Sequence, residues 1–174
     1  MHKHEEIDRF VTRLNVLLCY NLGKTGEKAT LRTETETLFA YLELQQMRYD
    51  FTVVPSIVEG EYLDLPVAKF ILQPIAENAI CHGLDEGGTL EIDILPDELL
   101  QMITITIHDN GRGMNQKTIN MILQDDTENA RQMGRGIGLC YVRYMLESFY
   151  GNAARMVIES DVQKGTTVIL YLPF

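Results

Sequence analysis

Two amphipathic helices are predicted by the spacing of apolar residues in the first fifty positions. The first runs from residue 7 to about residue 22, where apolar side chains recur three and four positions apart. Its face consists of Ile7, Phe10, Leu14 and Leu17, widened by Val11 and Leu18. The second is predicted over residues 34–49, with Thr33 and Glu36 forming a capping box at its start. These faces must be buried against each other, the following domain or a second chain.

Beyond residue 50 the pattern predicts a sheet, so we place a domain boundary near Asp50. Alternating or β-branched stretches predict strands at residues 51–54, 90–94, 103–108, 154–160 and 166–172, with a turn at Pro96-Asp97 and another at residues 163–165. One helix is predicted over residues 66–82, with Asp64 as its N-cap and Pro66 in its first turn. Another follows residue 138, with the stripe Leu139, Val142, Leu146 and Phe149, and ends at Gly151.

The predicted helix over residues 66–82 carries polar groups in an apolar setting. At 3.6 residues per turn, Pro74, Asn78 and His82 share one face. A buried amide without a partner costs roughly 1–3 kcal/mol, so Asn78 needs a polar neighbour, a water, or a ligand and its metal. Pro74 would also leave the carbonyl of Phe70 without its helical hydrogen bond. Stability alone does not explain this helix.

Asp109 continues the odd-numbered series of the strand at residues 103–108, whose odd members are isoleucines. Its carboxylate is therefore predicted to point to the buried face, where it needs a hydrogen-bond donor such as the exocyclic amine of adenine. The alternative is that Asp109 only caps the following Asn110-Gly111 turn.

Glycines at positions 134, 136 and 138 precede the helix that starts near residue 139. Glycines at a helix N-terminus let backbone N–H groups approach phosphate oxygens, and the helix dipole favours the anion. Residues 114–133 are polar, with a weak helical pattern at 118–123, as is typical of a mobile lid.

The net charge and the cysteine content limit which ligands and which covalent or metal links the chain is expected to have. The net charge of −10 argues against a nucleic-acid surface, and a bound polyphosphate would need a local cation such as Mg²⁺. The three cysteines, Cys19, Cys81 and Cys140, have no C-x-x-C spacing, so they predict neither disulfides nor a zinc site, and we expect them to be small buried hydrophobic residues.

No apolar run approaches the ~20 residues of a membrane span and no signal-peptide pattern occurs, so we expect a cytoplasmic fragment without membrane contact.

Three stretches in this order resemble the N, G1 and G2 boxes of the ATP-binding domain shared by histidine kinases, gyrase, mismatch-repair ATPases and heat-shock chaperones. They are L-Q-P-I-A-E-N-A-I-C-H-G at 72–83, D-N-G-R-G at 109–113 and G-R-G-I-G-L at 134–139. Y-L-E-L and Q-Q-M-R-Y within 41–49, and G-L-C-Y-V-R at 138–143, make the chain similar to LytS/YehU-like sensor histidine kinases. Tyr141 replaces that family's usual asparagine. The resemblance covers about residues 9–174.

The resemblance implies an α+β fold: a two-layer α/β sandwich of the Bergerat type, with a mixed sheet of about five strands, helices on one face and two N-terminal helices before it. Residues 1–50 would be a remnant of the helical dimerisation and phosphotransfer region. Residues 51–174 would be the catalytic ATP-binding domain, which transfers the γ-phosphoryl of ATP to a histidine.

Site roles follow from the same resemblance. Asn78 would coordinate Mg²⁺ with the triphosphate, Glu77 would act as base or orienter, and Asp109 would bind the adenine amine. The remaining implied contacts are Gly111 and Gly113 at the pocket floor, Gly134, Gly136 and Gly138 at the phosphates, and Thr166 or Thr167 near the base. His82 would either touch phosphate or be satisfied by a carbonyl at the helix end.

Two departures from the family pattern change the expected activity. Pro74 stands where ATPases of the superfamily carry a catalytic glutamate, so rapid ATP hydrolysis is not expected. The phosphoacceptor motif P-H-F-L-F-N does not occur, and neither His4 nor His108 replaces it. We therefore expect the acceptor histidine upstream of this sequence, and no autophosphorylation by the chain alone.

The expected partners are ATP or ADP, a response regulator of the LytTR DNA-binding type, and a second copy bound through the N-terminal helices. The parent protein would be anchored in the bacterial cell membrane. Two alternatives remain open: an anti-sigma-factor-like serine kinase, against which the two leading helices argue, and a non-catalytic nucleotide-binding or dimerisation module.

Overall fold

A computed structural model describes residues 2–22, 29–123 and 137–174, with side chains described from residue 10 to 20, from 29 to 123 and from 138 to 174. The helices are α1 (His2–Leu22), α2 (Leu31–Gln46), α3 (Gln73–Asn78), α4 (Gln116–Leu123) and α5 (Ile137–Tyr150). The strands are β1 (Ala29–Thr30), β2 (Phe51–Ile57), β3 (Pro66–Val67), β4 (Gly88–Asp97), β5 (Met102–Asp109), β6 (Arg155–Ser160) and β7 (Thr166–Pro173).

The core is one five-stranded mixed sheet in the order β2-β4-β5-β7-β6. The β2–β4 pair is parallel and the other pairs are antiparallel. One face of the sheet packs against the helices, and its nine side chains there are buried: Leu90, Ile92, Ile94, Ile103, Ile105, Ile107, Val168, Leu170 and Leu172. The alternate positions of β4 and β5, among them Glu91 and Thr104, are half-buried or exposed. The predicted α+β two-layer fold is confirmed.

Most predicted elements occur close to their predicted positions. All five predicted strands form, and a left-handed Gly151, with φ +59°, follows the last residue of α5. Leu139, Val142 and Leu146 of α5 are buried, but Phe149 is 41% exposed, so the predicted stripe is one residue too long. The weak helical pattern at 118–123 corresponds to α4. The remainder of the predicted lid, from residue 124 to 133, lies outside the described residues.

Helix α2 starts at Leu31, three residues before its predicted start. The residues of its capping box are Thr30 and Thr33: the Thr33 N–H donates to Thr30 Oγ1 at 3.2 Å, and the Thr30 N–H donates to Thr33 Oγ1 at 3.0 Å. The predicted box at Thr33 and Glu36 is therefore wrong, because Thr33 occupies the N3 position and Glu36 is exposed.

The predicted helix over residues 66–82 is also wrong at its start. Residues 66 and 67 form β3, which pairs antiparallel with β1, and α3 begins only at Gln73. Asp64 accepts a 2.8 Å hydrogen bond from Arg32 Nε instead of capping a helix. Pro74 lies in the first turn of α3, where its missing N–H would have no helical partner in any case.

Helix α1 packs along α2 through a face that differs from the predicted one. Leu17 is half-buried against the core, whereas Phe10, Val11, Leu14 and Leu18 are 38–48% exposed. Among the side chains described from residue 10 onward, the unburied apolar row of α1 is therefore Phe10, Val11, Leu14 and Leu18, whereas the side chain of Ile7, also predicted for this face, lies outside that range. No described helix is long and apolar enough to cross a membrane.

Candidate functional site

The candidate site is centred on Asp109, the last residue of β5, which is 2% exposed. Its Oδ1 accepts the N–H of Gly111 at 3.0 Å, so the predicted turn contact does form. Burial raises the pKa of the Asp109 carboxyl, and the hydrogen bond from Gly111 opposes that rise only in part. The strand parity placed this carboxylate correctly on the buried face.

Gly83, at the end of the segment that follows α3, lies directly against this carboxylate. A Cβ on Gly83 would lie 2.7 Å from Asp109 Oδ1, and a Cβ on Gly111 would lie 2.0 Å from the Gly83 carbonyl oxygen. The Arg112 N–H also donates to that carbonyl at 2.8 Å. The N box and the G1 box therefore meet through backbone, and a side chain at either glycine would separate them.

Gly113, at the end of the G1 box, packs against the turn between β6 and β7. It has φ +64°, and a Cβ there would lie 2.0 Å from the carbonyl oxygen of Asp161. The β6–β7 turn contributes a glycine that the sequence reasoning did not single out: a Cβ on Gly165, at φ +89°, would lie 1.9 Å from the Asp109 carbonyl oxygen. The backbone around Asp109 is therefore tightly packed on two sides.

The two threonines proposed for the base region lie on opposite faces of β7. Thr166 is buried and pairs across the sheet with Asp109. Its hydroxyl is 3.0 Å from Ser160 Oγ. Thr167 Oγ1 instead lies 2.9 Å from His108 Nδ1. The structure brings Thr166, and not Thr167, to the Asp109 face, and it gives His108 a hydrogen-bonded neighbour within the sheet.

Glu77 and Asn78 end α3, and both side chains are half-buried. Gln73 Nε2 donates to Glu77 Oε1 at 2.7 Å. Burial raises the pKa of the nearby Tyr41 hydroxyl, and the negative charge of Glu77 adds to the rise. No hydrogen bond joins the Asn78 side chain to another side chain or backbone group of the described ranges.

A π turn, Ala79–Gly83, follows α3 directly. The Leu84 N–H donates to the Ala79 carbonyl at 2.8 Å, five residues back. Such turns are often found at functional sites, because they shift the register of the following side chains. Here the turn brings Gly83 to Asp109 and leaves His82 exposed.

The start of α5 packs on the start of α3. A Cβ on Gly138 would lie 3.2 Å from the Cβ of Pro74. Gly134 and Gly136 lie outside the described residues, so Gly138 is the described member of the predicted phosphate loop.

Cys19 and Cys81 are exposed and only Cys140 is buried, which contradicts the prediction of three buried cysteines.

The sequence reasoning missed a second buried carboxylate, Glu34 of α2, which is 3% exposed. It accepts the backbone N–H groups of Phe70, Ile71 and Leu72 at 2.6, 3.1 and 3.3 Å, and the hydroxyl of Tyr20 also donates to it. Burial raises the pKa of the Glu34 carboxyl, while these hydrogen bonds oppose the rise.

A signal for Glu34 was present in the sequence. It lies three residues after Leu31 and four before Leu38, which are both fully buried, so it belongs to the apolar stripe of α2. A carboxylate in such a stripe needs several donors. The predicted face of α2 contained only apolar residues, so it omitted this carboxylate and the donors that it needs.

Two family models match the chain. The histidine kinase-, DNA gyrase B-, and HSP90-like ATPase model matches residues 64–174, and a histidine kinase model matches residues 1–53. Sensor protein LytS of Oceanobacillus iheyensis is 30% identical over 175 residues, covering 98% of this chain and 29% of that protein. Sensor histidine kinase YesM of Bacillus subtilis is 26% identical over 174 residues, covering 99% and 28%. The chain thus spans less than a third of either relative.

Solved structures show the same fold. The histidine kinase domain of the Erythrobacter litoralis EL346 blue-light activated histidine kinase matches with a TM-score of 0.63 and 17% identity, covering 95% of this chain and 73% of that one. The catalytic domain of histidine kinase ThkA matches with a TM-score of 0.56 and 21% identity, covering 82% and 90%.

Replacing Gly111 with alanine tests the backbone contact between the two boxes. We expect Gly111→Ala to lower the free energy of unfolding by about 3 kcal/mol, because its Cβ meets rigid backbone 2.0 Å away. The control is Gly87→Ala, which has open space at φ +76° and should lose roughly 1–2 kcal/mol from backbone strain alone. Urea unfolding measures both; equal losses would contradict the tight contact.

Proposed function

Because the chain belongs to the histidine kinase-, DNA gyrase B-, and HSP90-like ATPase family, we propose that it is the ATP-binding kinase domain of a two-component sensor histidine kinase. It transfers the γ-phosphoryl group of ATP to a histidine upstream of this sequence, for relay to a response-regulator aspartate. One observation carries the proposal: a buried Asp109 carboxylate faces the backbone junction of the N and G1 boxes.

The adenine contact is assigned to Asp109. An ionised carboxylate accepts up to about four hydrogen bonds, and the exocyclic amine of adenine is a donor of the required kind. The Thr166 hydroxyl on the same face is a second candidate contact. Gly111 and Gly113 allow the turn after Asp109 to pack directly on the backbone of Gly83 and Asp161, and this close packing would form the pocket floor beside the base.

The phosphate end is assigned to Asn78 and to Gly134, Gly136 and Gly138 before α5. Support comes from Asn78, whose half-buried amide bonds to no other described group, and from the packing of Gly138 on Pro74 at the start of α3. In the described ranges, no group of three or more His, Cys, Asp or Glu residues could hold a metal. An amide oxygen and phosphate oxygens suit Mg²⁺, which favours oxygen ligands and retains several waters.

Glu77 is the proposed base or orienter for the acceptor imidazole. It lies next to Asn78 and is held by Gln73, so its carboxylate has a defined position beside the metal ligand. Phosphoryl transfer depends mainly on positioning and charge neutralisation, and a base needs hydrogen-bond reach to the proton it removes. Pro74, in place of the catalytic glutamate of ATPases, makes hydrolysis by water a slow side reaction.

The remaining parts of the proposal concern domains and partners. Residues 1–50 are the remnant of the dimerisation and phosphotransfer region, and residues 51–174 are the catalytic domain. The partner regulator is of the LytTR type, and the parent protein is anchored in the bacterial membrane. Sequencing the parent reading frame and its neighbours tests both statements.

Nucleotide binding should depend on the Asp109 carboxylate. We expect Asp109→Asn to weaken Mg-ATP binding about 10- to 150-fold, the equivalent of one hydrogen bond to a charged group. The exocyclic amine of adenine donates to the ionised carboxylate of Asp109, and burial raises the pKa of that carboxyl. The affinity of the wild-type chain for Mg-ATP should therefore rise with pH until the Asp109 carboxyl is ionised. The variant should lack this rise.

Calorimetry between pH 5 and pH 8 measures this, with Asp161→Asn on the neighbouring exposed turn as the matched control. If Asp109→Asn binds Mg-ATP as well as wild type does, the carboxylate only caps the Gly111 turn. If the wild-type chain binds neither Mg-ATP nor Mg-ADP, the kinase proposal fails.

Phosphoryl transfer should require an added acceptor. We expect no label from γ-labelled ATP on the chain alone, and label on the acceptor helix of the parent protein when it is supplied. Glu77→Gln should slow that transfer by about 100-fold or more while changing ATP affinity less, because a base acts mainly in the transition state. Glu86→Gln, an exposed residue after the π turn, is the control.

Three outcomes contradict this assignment. Acid-labile label on the chain alone, lost in His4→Ala, would place the acceptor within the chain. Acid-stable label on serine would favour the anti-sigma-factor-like kinase. Binding without any transfer would leave a non-catalytic nucleotide-binding module.

Dimerisation is assigned to the exposed apolar row of α1, defined by Phe10, Val11, Leu14 and Leu18. We expect a dimer by analytical ultracentrifugation, and a monomer after Leu14→Glu, because a charge in a desolvated helix seam is costly. Asn15→Glu, exposed but outside that row, should leave the mass unchanged. A monomeric wild-type chain would remove dimerisation from the proposal.

A further inference from the structure

The segment that enters α3 is held in place by α2. Glu34 accepts hydrogen bonds from three consecutive N–H groups, those of Phe70, Ile71 and Leu72, at 2.6 to 3.3 Å. Helix α3 has only six residues, and a helix of that length does not maintain itself without external contacts. Its entry direction is therefore set by where Glu34 holds these three residues.

Helix α1 reaches the same segment through Tyr20. The Tyr20 hydroxyl donates to Glu34, and the Tyr20 ring meets the Phe70 ring edge-on, with 5.1 Å between centroids. Lys69 Nζ lies 4.5 Å from the centroid of the Tyr20 ring and 5.3 Å from that of Phe70. One side chain of α1 thus contacts both the carboxylate and the backbone segment that this carboxylate holds.

Phe70 has a backbone conformation that needs such contacts. Its φ of +62° is left-handed, a region that a bulky side chain enters only when its surroundings over-determine it. Tyr20 holds its ring and Glu34 holds its N–H. Removing either contact would release this residue toward ordinary φ values and turn the chain that leads into α3.

We propose that Glu34 is a positioning residue for Glu77 and Asn78, and that Tyr20 makes their position depend on how α1 docks against α2. The path is short, since six residues of helix separate Leu72 from Asn78 by about 9 Å. A displacement of α1 would therefore reach the phosphate end of the site through the Tyr20, Glu34 and Phe70 contacts. Its effect on nucleotide affinity rests on the proposed function, whereas its effect on the position of Asn78 does not.

The chain contains a matched control for this contact. Arg13 and Glu43 form a second link between α1 and α2, with Arg13 Nε 2.6 Å from Glu43 Oε2. Glu43 lies nine residues after Glu34 on α2, about two and a half turns further along the helix. Glu43→Gln therefore makes the same carboxylate-to-amide change, against the same helix α1, away from the entry to α3.

The experiment compares wild type with Glu34→Gln, Tyr20→Phe and Glu43→Gln. The first readout, taken without nucleotide, is the NMR shift of the Phe70, Ile71 and Leu72 amides and of the Asn78 side-chain amide. The second is Mg-ATP affinity by calorimetry well below the melting temperature. We expect Glu34→Gln and Tyr20→Phe to move the Asn78 signals and to weaken Mg-ATP binding about 2- to 30-fold. Glu43→Gln should change neither.

Each outcome decides the proposal. If Glu34→Gln and Tyr20→Phe lower the melting temperature but leave the Asn78 signals and the affinity unchanged, both residues are merely structural. If Glu43→Gln moves the Asn78 signals equally, helix docking in general, and not this contact, controls the site. If wild type binds no Mg-ATP, the proposed function fails while the NMR comparison still tests the coupling. If Glu34→Gln does not fold, Tyr20→Phe carries the test, because phenylalanine keeps the ring.

Discussion

The Glu34 carboxylate, buried among backbone N–H groups, is the interaction on which the arrangement of this domain depends. Removing a carboxylate from water costs several kcal/mol unless donors replace the solvent, and here three main-chain groups and the Tyr20 hydroxyl do so. Because the donors belong to the segment before α3, the same hydrogen bonds that make the burial tolerable also direct that helix. Two helices and the entry to the N box are thereby joined at one side chain.

Asp109 is, like Glu34, a buried carboxylate, but it accepts fewer hydrogen bonds from the protein. Both carboxylates are almost fully buried, and burial raises the pKa of each. Glu34 has four donors, which fill the capacity of about four hydrogen bonds that a carboxylate has, whereas the side chain of Asp109 accepts only from the backbone N–H groups of Gly111 and Thr166 in the part of the chain that the structure describes. The unfilled capacity of Asp109 is what makes it the better candidate for a ligand contact, while Glu34 is better suited to holding structure.

The sheet and its buried face could be predicted because a strand's period of two is a local property. Alternation in β5 placed Asp109 on the buried side, and the order of the three glycine-containing boxes was sufficient to indicate the family. The site was predicted less completely. Of the two threonine candidates only Thr166 lies with Asp109. Gly165 was predicted only as part of a turn, although it packs on Asp109 as closely as Gly111 packs on Gly83.

The sequence by itself determined which residues alternate, where glycines form turns or precede a helix, and which motifs follow one another. Only the tertiary structure decided where α3 begins: local propensity favoured a helix from residue 66, but pairing of β3 with β1 and the hydrogen bonds from residues 70–72 to Glu34 took those backbone groups first. Glu34 and Phe70 are thirty-six positions apart in the chain. A pattern read within one turn or one strand cannot report such a contact, because the partner's position is fixed only when the whole chain packs.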